Sequence, residues 1–476
     1  MKLFYFTYNR YICEIFSRNY TIAFSVCKQY VLVFNLKSVY MGKLRSLLGL
    51  FFFLFLVLLS TEANAIDYPP CSPVSVHGRL SVNKVSLVNE CGYVVQLRGM
   101  SSHGLGWVPE CYTEDAIKTL AEDWKIDVFR IAVYTHENKG YTTEEWKTKE
   151  EYNQYVDELV DLCAKYGIYC IIDWHILNQG SGDPNYTLDD AKEFWDYMSK
   201  KHKKDKHVIY EICNEPNGYS VGWNEVKKYA NIIIPIIRKN DSKAVVVCGT
   251  PTWSQGVDLA ANDPLLYDNV MYALHFYAGT HGDFEKQKAD YALSKGLPVF
   301  VTEFGTSAST GGGGVFAFET DLWIKWMDSR NLSWCNWSFA DKNESSAALN
   351  EDACSFSRWN DLSESGEYIK DKLSEPSLFY GSCVKCDSCS RFRVGKTESK
   401  LDRVLVYYCL STGEFKFWFS EDSHMKGIRF FDMMGRLVYS FEGSTKSINF
   451  AHFSPGSYVV KVEFEEGTSV KRVLKR

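Results

Sequence analysis

Short apolar runs alternate with amphipathic stretches along residues 74–375. In the stretch 151–166, apolar residues recur every three or four positions with acidic residues between them, which is the period of an α-helix. The apolar runs are continuous, as in strands that are buried on both faces of a parallel sheet. The predicted strands are Val94–Met100, Val128–Tyr134, Tyr169–Asp173, Val208–Cys213, Ala244–Cys248, Val270–Leu274, Pro298–Thr302 and Ser333–Trp337, and the predicted helices lie near 113–123, 151–166, 187–200, 222–239, 257–261, 284–295, 316–330 and 363–373.

This repetition predicts an α/β fold, a (β/α)8 TIM barrel, over residues 66–375. A hairpin around Val76–Val88 is expected to close the bottom of the barrel. The pattern changes after a loop-rich linker at 376–400, because residues 401–476 contain many short alternating runs with turn signals between them. Such a pattern favours a small all-β sandwich as a second domain.

The N-terminal residues have the layout of a secretory signal peptide. A basic start at Met41–Arg45 precedes the apolar run Ser46–Leu59, and Ala63-Asn64-Ala65 supplies small residues at a cleavage site. We therefore expect Met41 to be the initiator, 1–40 to be an upstream segment, and cleavage to follow Ala65. The alternative is an N-terminal membrane anchor, although the apolar run is short for a span.

Export changes the interpretation of the 15 cysteines, because disulfides form in oxidising compartments. Cysteines in predicted loops or near domain edges are candidates for disulfides, and cysteines inside predicted elements are expected to be small buried residues. The run Cys383–Cys389 has no histidine at metal-finger spacing, so we favour disulfides there over a metal site. The loop cysteines are Cys71, Cys91, Cys111, Cys354, Cys383, Cys386, Cys389 and Cys409; the others are Cys163, Cys170, Cys213, Cys248 and Cys335.

Composition adds one observation: 15% of the residues are aromatic, including 13 tryptophans. A large aromatic core explains this by itself, but aromatic rings also stack on sugars. The net charge of −6 gives no indication of nucleic-acid binding. The glycines 311–314 are not followed by a Lys-Ser or Lys-Thr pair, so a phosphate-binding loop is not expected.

Two carboxylates stand at predicted strand ends. Asn214-Glu215-Pro216 follows the fourth strand, and Glu303-Phe304-Gly305 follows the seventh. Active sites of such barrels lie at the carboxyl ends of the strands. Glycoside hydrolysis needs one carboxyl group that protonates the leaving oxygen and a second that attacks the sugar or activates water. The pair therefore indicates a glycosidase, and no metal or cofactor is required.

Several motifs at the strand ends strengthen this interpretation. They are Arg98-Gly-Met-Ser-Ser-His-Gly-Leu-Gly-Trp107, Phe129-Arg-Ile-Ala-Val-Tyr134, Asp173-Trp-His175, Ile212-Cys-Asn-Glu-Pro216, Leu274-His-Phe-Tyr277, Val301-Thr-Glu-Phe-Gly305 and Asn336-Trp-Ser-Phe-Ala-Asp-Lys-Asn-Glu344. Through these motifs the chain resembles glycoside hydrolase family five in its bacterial endoglucanase branch. The resemblance covers nearly the whole predicted barrel.

The resemblance implies a retaining enzyme with Glu215 as acid/base and Glu303 as nucleophile. Support of the transition state and of the carboxyl pKa values would come from Arg130, Asn214, His175, His275 and Tyr277. Glucose units would be bound by His103, Trp107, Tyr134, Trp337, Lys342 and Glu344, with Trp253 on the leaving-group side. Each residue also has a purely structural interpretation: Arg130 as an ion pair, His175 and His275 as core histidines, and Tyr134 and Trp253 as packing residues.

The C-terminal residues carry a second resemblance. The stretches Phe431–Val438 and Phe453–Val459, followed by a terminal Lys-Arg run, resemble the sorting domain of the type nine secretion system. A carbohydrate-binding module is the alternative, but Trp418 is the only tryptophan after the linker. The resemblance implies recognition by secretion machinery and a secreted or cell-surface location in a bacterium.

The sequence therefore predicts a secreted, monomeric endo-β-1,4-glucanase that acts on cellulose-like glucans. A mannanase, xylanase or lichenase with the same mechanism is the first alternative, because related barrels share the two carboxylates. A non-hydrolytic glycan-binding surface protein is the second.

Overall fold

The computed structural model of the protein describes residues 66–70, 72–178 and 182–374, and then 405–409, 414–418, 424–432, 436–450, 452–465 and 467–475. The predicted signal sequence and the predicted linker with Cys383–Cys389 lie outside the described residues. Among the residues so described, no helix is long and apolar enough to cross a bilayer.

Eight parallel strands close into a barrel in sequence order, so the prediction of a (β/α)8 fold is confirmed. The last strand pairs with the first, with Trp334 opposite Arg98. A short helix and a hairpin precede them: α1 (Pro73–His77), β1 (Ser81–Asn83) and β2 (Ser86–Val88). The barrel strands are β3 (Arg98–Ser102), β4 (Val128–Tyr134), β5 (Tyr169–His175), β6 (Val208–Glu211), β7 (Val245–Cys248), β8 (Val270–Tyr277), β9 (Val299–Gly305) and β10 (Trp334–Phe339).

The helices surround the barrel and bury their apolar faces against it. A good example is the helix that starts after Thr148, where Thr148 and Glu151 form a capping box and Gly167 ends the helix in the left-handed conformation. The α-helices are α2 (Glu114–Glu122), α3 (Lys149–Tyr166), α4 (Leu188–Lys201), α5 (Trp223–Asn240), a turn at Pro251–Ser254, α6 (Val257–Asn262), α7 (Asp283–Ser294), α8 (Ala317–Arg330) and α9 (Glu364–Ser374).

The bottom of the barrel is closed by residues that precede β3. Leu80, Leu87, Val95 and Leu97 pack against inward-facing strand residues such as Tyr169. The expected hairpin is real but shorter than Val76–Val88, because residues up to His77 form α1. Likewise β3 begins at Arg98 rather than at Val94, since the apolar residues before Arg98 cover the bottom instead of extending the strand.

One disulfide joins two of the predicted loop cysteines, Cys111 after β3 and Cys354 after β10. The five cysteines that were predicted to be small core residues are buried thiols. The side chain of Cys409 lies outside the described residues.

The C-terminal residues form an all-β unit, as predicted. The strands are β11 (Leu405–Cys409), β12 (Glu414–Trp418), β13 (Met425–Asp432), β14 (Leu437–Glu442), β15 (Ser447–Asn449), β16 (Gly456–Phe464) and β17 (Gly467–Lys475). One sheet has the strand order β11-β12-β15, and the other has the order β14-β13-β16-β17. Phe415 and Phe417 of the first sheet share a core with Ile428, Phe430 and Val460 of the second, which is the packing of a sandwich.

Candidate active site

Glu215 lies in the loop after β6 and is held there by backbone contacts. Its N–H donates to the carbonyl of Ile176 over 3.2 Å, and its own carbonyl accepts from the side chain of Asn217 over 2.8 Å. The carboxyl group is nearly buried, and Oε1 lies 2.9 Å from Nδ1 of His275. The structure therefore places the predicted acid/base beside the histidine that the sequence assigned to it.

Glu303 lies on β9, where it pairs in register with His275 of β8. Its Oε1 accepts from the Tyr277 hydroxyl over 2.8 Å, and its Oε2 accepts from Arg130 over 3.0 Å. A Cβ on Gly305 would lie 2.2 Å from the Tyr277 ring, so glycine allows that ring to lie close to the strand. The predicted nucleophile is thus held by one phenol and one guanidinium.

The two carboxyl groups face each other across the barrel mouth. Single oxygen atoms of Glu215 and Glu303, together with one nitrogen of His275, lie within 4.8 Å of one another. Burial, and next the charge of Glu215, raise the pKa of Glu303, while His275, Arg130 and Tyr277 oppose that rise. Two acids at this spacing do not ionise independently, so the pair retains a proton more readily than either group alone.

Arg130 on β4 is fully buried and contacts more groups than the sequence indicated. Its guanidinium lies 3.0 Å from Asp173, 2.7 Å from Glu211 and 3.0 Å from Glu303, and it donates to Oδ1 of Asn214 over 2.6 Å. It is therefore an ion-pair residue and also a neighbour of the predicted nucleophile. The ion-pair interpretation is therefore correct, and the functional interpretation stays a prediction for which the required contact with Glu303 is present.

Sequence reasoning did not assign Glu211 and Asp173 to the site. Glu211 is fully buried and is the last residue of β6, four residues before Glu215. The sequence did contain a signal for it, because a charged residue within an apolar run that is expected to be buried needs a partner. Asp173 belonged to a quoted motif, but one of its two partners, Arg130, comes from another strand, β4, and the other is His175 on its own strand.

His175 ends β5, and its hydrogen bonds define its tautomer. Nδ1 lies 2.6 Å from Oδ2 of Asp173, and Nε2 lies 3.2 Å from Nδ2 of Asn214. Burial, and next the charge of Arg130, hold the pKa of His175 well below its ordinary value. A neutral ring that donates from Nδ1 to Asp173 and accepts at Nε2 from Asn214 satisfies both contacts. His175 therefore orients Asn214.

An aromatic group extends from His175 along one side of the mouth. Tyr134 is stacked on His175 with ring centroids 4.1 Å apart, and Trp337 is stacked on the same histidine at 5.4 Å. His103 lies 4.9 Å from Trp107 and from Trp337. Tyr134 is only 5% exposed, which makes packing its main contribution.

Two charged residues complete this side. Lys342 Nζ lies 5.0 Å above the Trp107 ring, 2.8 Å from Oε2 of Glu344 and 3.4 Å from Nε2 of His103. Burial, and next the charge of Lys342, lower the pKa of His103 to about 3. His103 is therefore neutral and can accept a hydrogen bond at physiological pH.

Trp253 lies apart from that group, beside the loop that carries Glu215. Its backbone N–H donates to the carbonyl of Pro216 over 3.1 Å, and Ser254 Oγ donates to the carbonyl of Asn214 over 2.6 Å. Thr252, Trp253 and Ser254 all have positive φ, a backbone conformation that residues other than glycine rarely adopt. The ring is 45% exposed, so it can offer a face to a ligand.

The described residues place one open cluster of possible metal ligands at the mouth, Glu215, His275 and Glu303. Both nitrogens of His275 already form hydrogen bonds, to Glu215 and to Thr302 at 2.9 Å each. A metal ion there would have to break one of these bonds. The arrangement suits proton transfer and nucleophilic attack better.

Comparison with known sequences gives two matches that do not overlap. The profile of the cellulase family (glycosyl hydrolase family 5) matches residues 88–343. The profile of a secretion system C-terminal sorting domain matches residues 411–476. The predicted sorting domain is thereby confirmed over the carbohydrate-binding alternative, and it indicates secretion or attachment to the surface of a bacterial cell.

Curated relatives include endoglucanase A of Evansella cellulosilytica, 50% identical over 287 residues, with 60% of this chain and 57% of the relative covered. The endoglucanase of Clostridium saccharobutylicum is 44% identical over 301 residues, with 63% and 66% covered. The chain thus spans less than two thirds of the length of these relatives.

Among solved structures, cellulase Cel5C_n is 63% identical with a TM-score of 0.66, over 67% of this chain and 98% of that one. The catalytic domain of Thermobifida fusca endoglucanase Cel5A is 37% identical with a TM-score of 0.60, over 64% of this chain and 100% of that one.

Proposed function

Because the chain belongs to the cellulase family, glycosyl hydrolase family 5, we propose that it is a secreted retaining endo-β-1,4-glucanase that hydrolyses internal links of cellulose and related β-glucans. The observation that carries the proposal is the approach of Glu215 and Glu303 to within 4.8 Å, oxygen to oxygen. Retaining enzymes hold their carboxyl groups about 5–5.5 Å apart, whereas inverting enzymes separate them by about 6.5–9.5 Å to fit a water molecule. The short spacing favours direct attack by a carboxylate.

In the first step, Glu303 attacks the anomeric carbon, and the bond to the glycosidic oxygen breaks. Glu215 gives its proton to that oxygen, so the leaving sugar departs as an alcohol. A glycosyl ester on Glu303 remains. Arg130 and Tyr277 hold the attacking carboxylate by its two oxygens, which aims it and limits its rotation.

In the second step, water attacks the same anomeric carbon from the side that the leaving sugar vacated. Glu215, now ionised, takes a proton from the water, and the ester to Glu303 breaks. Two inversions give net retention, and both carboxyl groups return to their starting protonation states.

Asn214 is proposed to bind the sugar 2-hydroxyl, a contact that strengthens in the transition state. Its amide is already oriented, since Arg130 occupies one side of Oδ1 and His175 accepts from Nδ2. A fixed amide costs less entropy to use than a mobile one.

The substrate assignment rests on the group formed by His103, Trp107, Trp337, Lys342 and Glu344. Ring faces suit the apolar faces of β-linked glucose, and the Lys342–Glu344 pair offers a donor and an acceptor for equatorial hydroxyls. We assign these residues, with Tyr134 behind them, to the non-reducing side. We assign the exposed Trp253 to the leaving-group side. The names of the relatives as endoglucanases support glucan over mannan or xylan.

The proposal includes the organisation of the whole chain. A signal sequence would extend from about Met41 to Ala65, the catalytic barrel from 66 to 375, the linker from 376 to 400 and the sorting domain from 401 to 476. Export machinery would recognise the last of these. We propose a monomer with no nucleic-acid partner.

The test is hydrolysis of carboxymethylcellulose, mannan, xylan and lichenan by the full chain and by Glu303→Gln. We expect a rapid fall in carboxymethylcellulose viscosity with the parent and none with the variant, because the amide cannot form the ester. Activity confined to mannan or xylan would keep the mechanism and overturn the substrate. A folded parent that hydrolyses none of them but binds glucan would favour the binding-protein alternative.

A further inference from the structure

Glu211 is a fully buried carboxylate that the proposed chemistry does not use. Its Oε2 accepts from Nε of Arg130 over 2.7 Å, and its Oε1 accepts from the Thr302 hydroxyl over 2.6 Å. Thr302 precedes Glu303 on β9 and is itself fully buried. The carboxylate thus contacts the Arg130 guanidinium and the Thr302 hydroxyl, and its Oε1 also lies 3.8 Å from Nε2 of His275, a longer contact than either.

Thr302 connects this carboxylate to the proposed acid/base. Its Oγ1 lies 2.9 Å from Nε2 of His275, and Nδ1 of the same ring lies 2.9 Å from Oε1 of Glu215. A continuous buried path therefore runs from Glu211 through Thr302 and His275 to Glu215. At the Glu211 end of this path, Arg130 connects Glu211 to Glu303.

The direction of each hydrogen bond follows from the number of protons. Burial alone would raise the pKa of Glu211, but the Arg130 guanidinium, and next His275, outweigh burial and hold that pKa below the ordinary value. An ionised Glu211 can only accept, so the one hydrogen of Thr302 points to it. The 2.6 Å distance is that of a hydroxyl donating to a carboxylate. Thr302 must then accept from His275, which requires a hydrogen on Nε2.

We propose that Glu211 and Thr302 are positioning residues that keep a hydrogen on Nε2 of His275, so that the ring gains and loses its second proton only at Nδ1, facing Glu215. The inference rests on the proposed function, because it concerns the group that shares a proton with the acid/base. With Nδ1 protonated, His275 donates to Oε1 of Glu215 and leaves Oε2 for the glycosidic oxygen. No oxidant or cofactor is involved, and the number of protons is conserved.

The charged and titratable neighbours of His275 favour its protonated form on balance. The nearest acids are Glu211 at the end of β6, Glu215 in the loop that follows it and Glu303 on β9. Asp173 and His175 lie on β5, and Arg130 lies on the far side of Glu211 and Glu303 from His275. Burial opposes the charge, but the carboxylates outweigh it and raise the pKa of His275 to about 9. The Thr302 hydroxyl also favours the protonated form of His275, because it can accept a hydrogen bond from the imidazolium while its own hydrogen is directed to Glu211.

The test substitutes Thr302→Val, which keeps the shape and removes the acceptor. The imidazolium would lose a hydrogen bond to a charged group, so the basic limb of the pH profile of kcat/KM should move to lower pH by about one unit or more. Thr302→Ser retains the hydroxyl and should restore the parent profile. Thr306→Val is the matched control, because Thr306 is equally buried on the segment after β9 but bonds to Ser365.

A second readout is the nitrogen NMR spectrum of the full chain labelled in histidine. The parent and Thr302→Ser should show His275 with a hydrogen on Nε2 at every pH, and Thr302→Val should lose this signal on the basic side. A folded Thr302→Val with the parent pH profile and an unchanged Nε2 signal would overturn the inference. If Thr302→Val does not fold, the spectrum of the parent is decisive by itself. A neutral His275 in the parent that carries its hydrogen on Nδ1 and not on Nε2 would overturn the inference equally. An inactive parent with the expected spectrum would instead contradict the proposed function alone.

Discussion

Nη1 of Arg130 lies 3.0 Å from Oε2 of Glu303, and both groups are buried. The same guanidinium pairs with Asp173 and Glu211, so one cation serves three carboxylates. Replacing Arg130 by Met should lower the free energy of unfolding by roughly 3–5 kcal/mol, because buried charges would lose their partner. Denaturant unfolding measures this loss.

Arg130→Lys is the matched control, because it keeps the charge but not the planar fork. We expect it to recover part of the stability while kcat remains far below that of the parent. Parent-like stability and turnover in Arg130→Met would contradict the role given to this residue.

Glu215 and Glu303 should respond differently to an added nucleophile. In Glu215→Ala, aryl cellobiosides with a good leaving group still form the glycosyl ester, and azide should then accelerate turnover and give a β-glycosyl azide, because azide needs no base. In Glu303→Ala, azide would replace the nucleophile and give the α-azide. Proton NMR of the products distinguishes the two. The same anomer from both variants would overturn the assignment of roles.

The Cys111–Cys354 disulfide ties the segment after β3, which carries His103 and Trp107, to the segment after β10, which carries Lys342. The bond spans 243 residues, and the chain-entropy account gives about 5 kcal/mol for loops of this order. Reduction should lower Tm and raise KM for cellodextrins more than it lowers kcat, because the residues of the tied segments are proposed to bind sugar and not to take part in the reaction.

A Cys111→Ser/Cys354→Ser double variant should behave like the reduced parent, and reductant should not change it further. A parent whose Tm and KM are insensitive to reduction would show that the two segments are held by other contacts.

His202 gives a pH dependence of stability that is independent of the active site. Its Nε2 lies 2.8 Å from Oδ1 of Asp157, and its Nδ1 lies 2.7 Å from Oδ2 of Asp205. Burial alone would lower the pKa of His202, but these two hydrogen bonds outweigh burial and raise that pKa. Because the pKa of His202 is higher in the folded state than in the unfolded state, the charged ring stabilises the fold fully at pH values below its unfolded pKa of about 6.5. This stabilisation is lost as the pH rises through the folded-state pKa.

The free energy of unfolding of the parent, minus that of His202→Asn, should therefore be largest below about pH 6.5 and should shrink toward basic pH. His275 also titrates on the basic side, but it does so in both proteins and cancels in the difference. A difference that is constant across pH would contradict a charged His202.

The positions of the barrel strands were predictable from their apolar residues, but the ends of the strands, where polar residues of the candidate site lie, were predicted less well. The predicted ends of β8 and β9 were Leu274 and Thr302, whereas these strands continue to Tyr277 and Gly305. The polar residues His275 and Glu303 break the apolar pattern at these ends because they serve the site. At β6 the reverse error occurs, since Ile212 and Cys213 are apolar but lie beyond the strand.

The site was predictable as a set of residue types at strand ends, helped by the resemblance of its motifs. The network behind it was not, because Glu211, Thr302 and Asp173 acquire their roles from partners on other strands. The Thr302–Glu211 contact depends on the closure of the barrel, which brings together side chains 91 positions apart. No local pattern encodes such a contact.

The central claim is a covalent glycosyl ester on Glu303, and trapping tests it most directly. The full chain would be incubated with a 2-deoxy-2-fluoro-β-cellobiosyl fluoride, which slows both steps but leaves a good leaving group for the first. We predict a stable adduct of one cellobiosyl unit, located by peptide mass spectrometry on Glu303 and absent in Glu303→Gln. An adduct on another residue, or no adduct while an active enzyme releases α-configured products, would contradict the account.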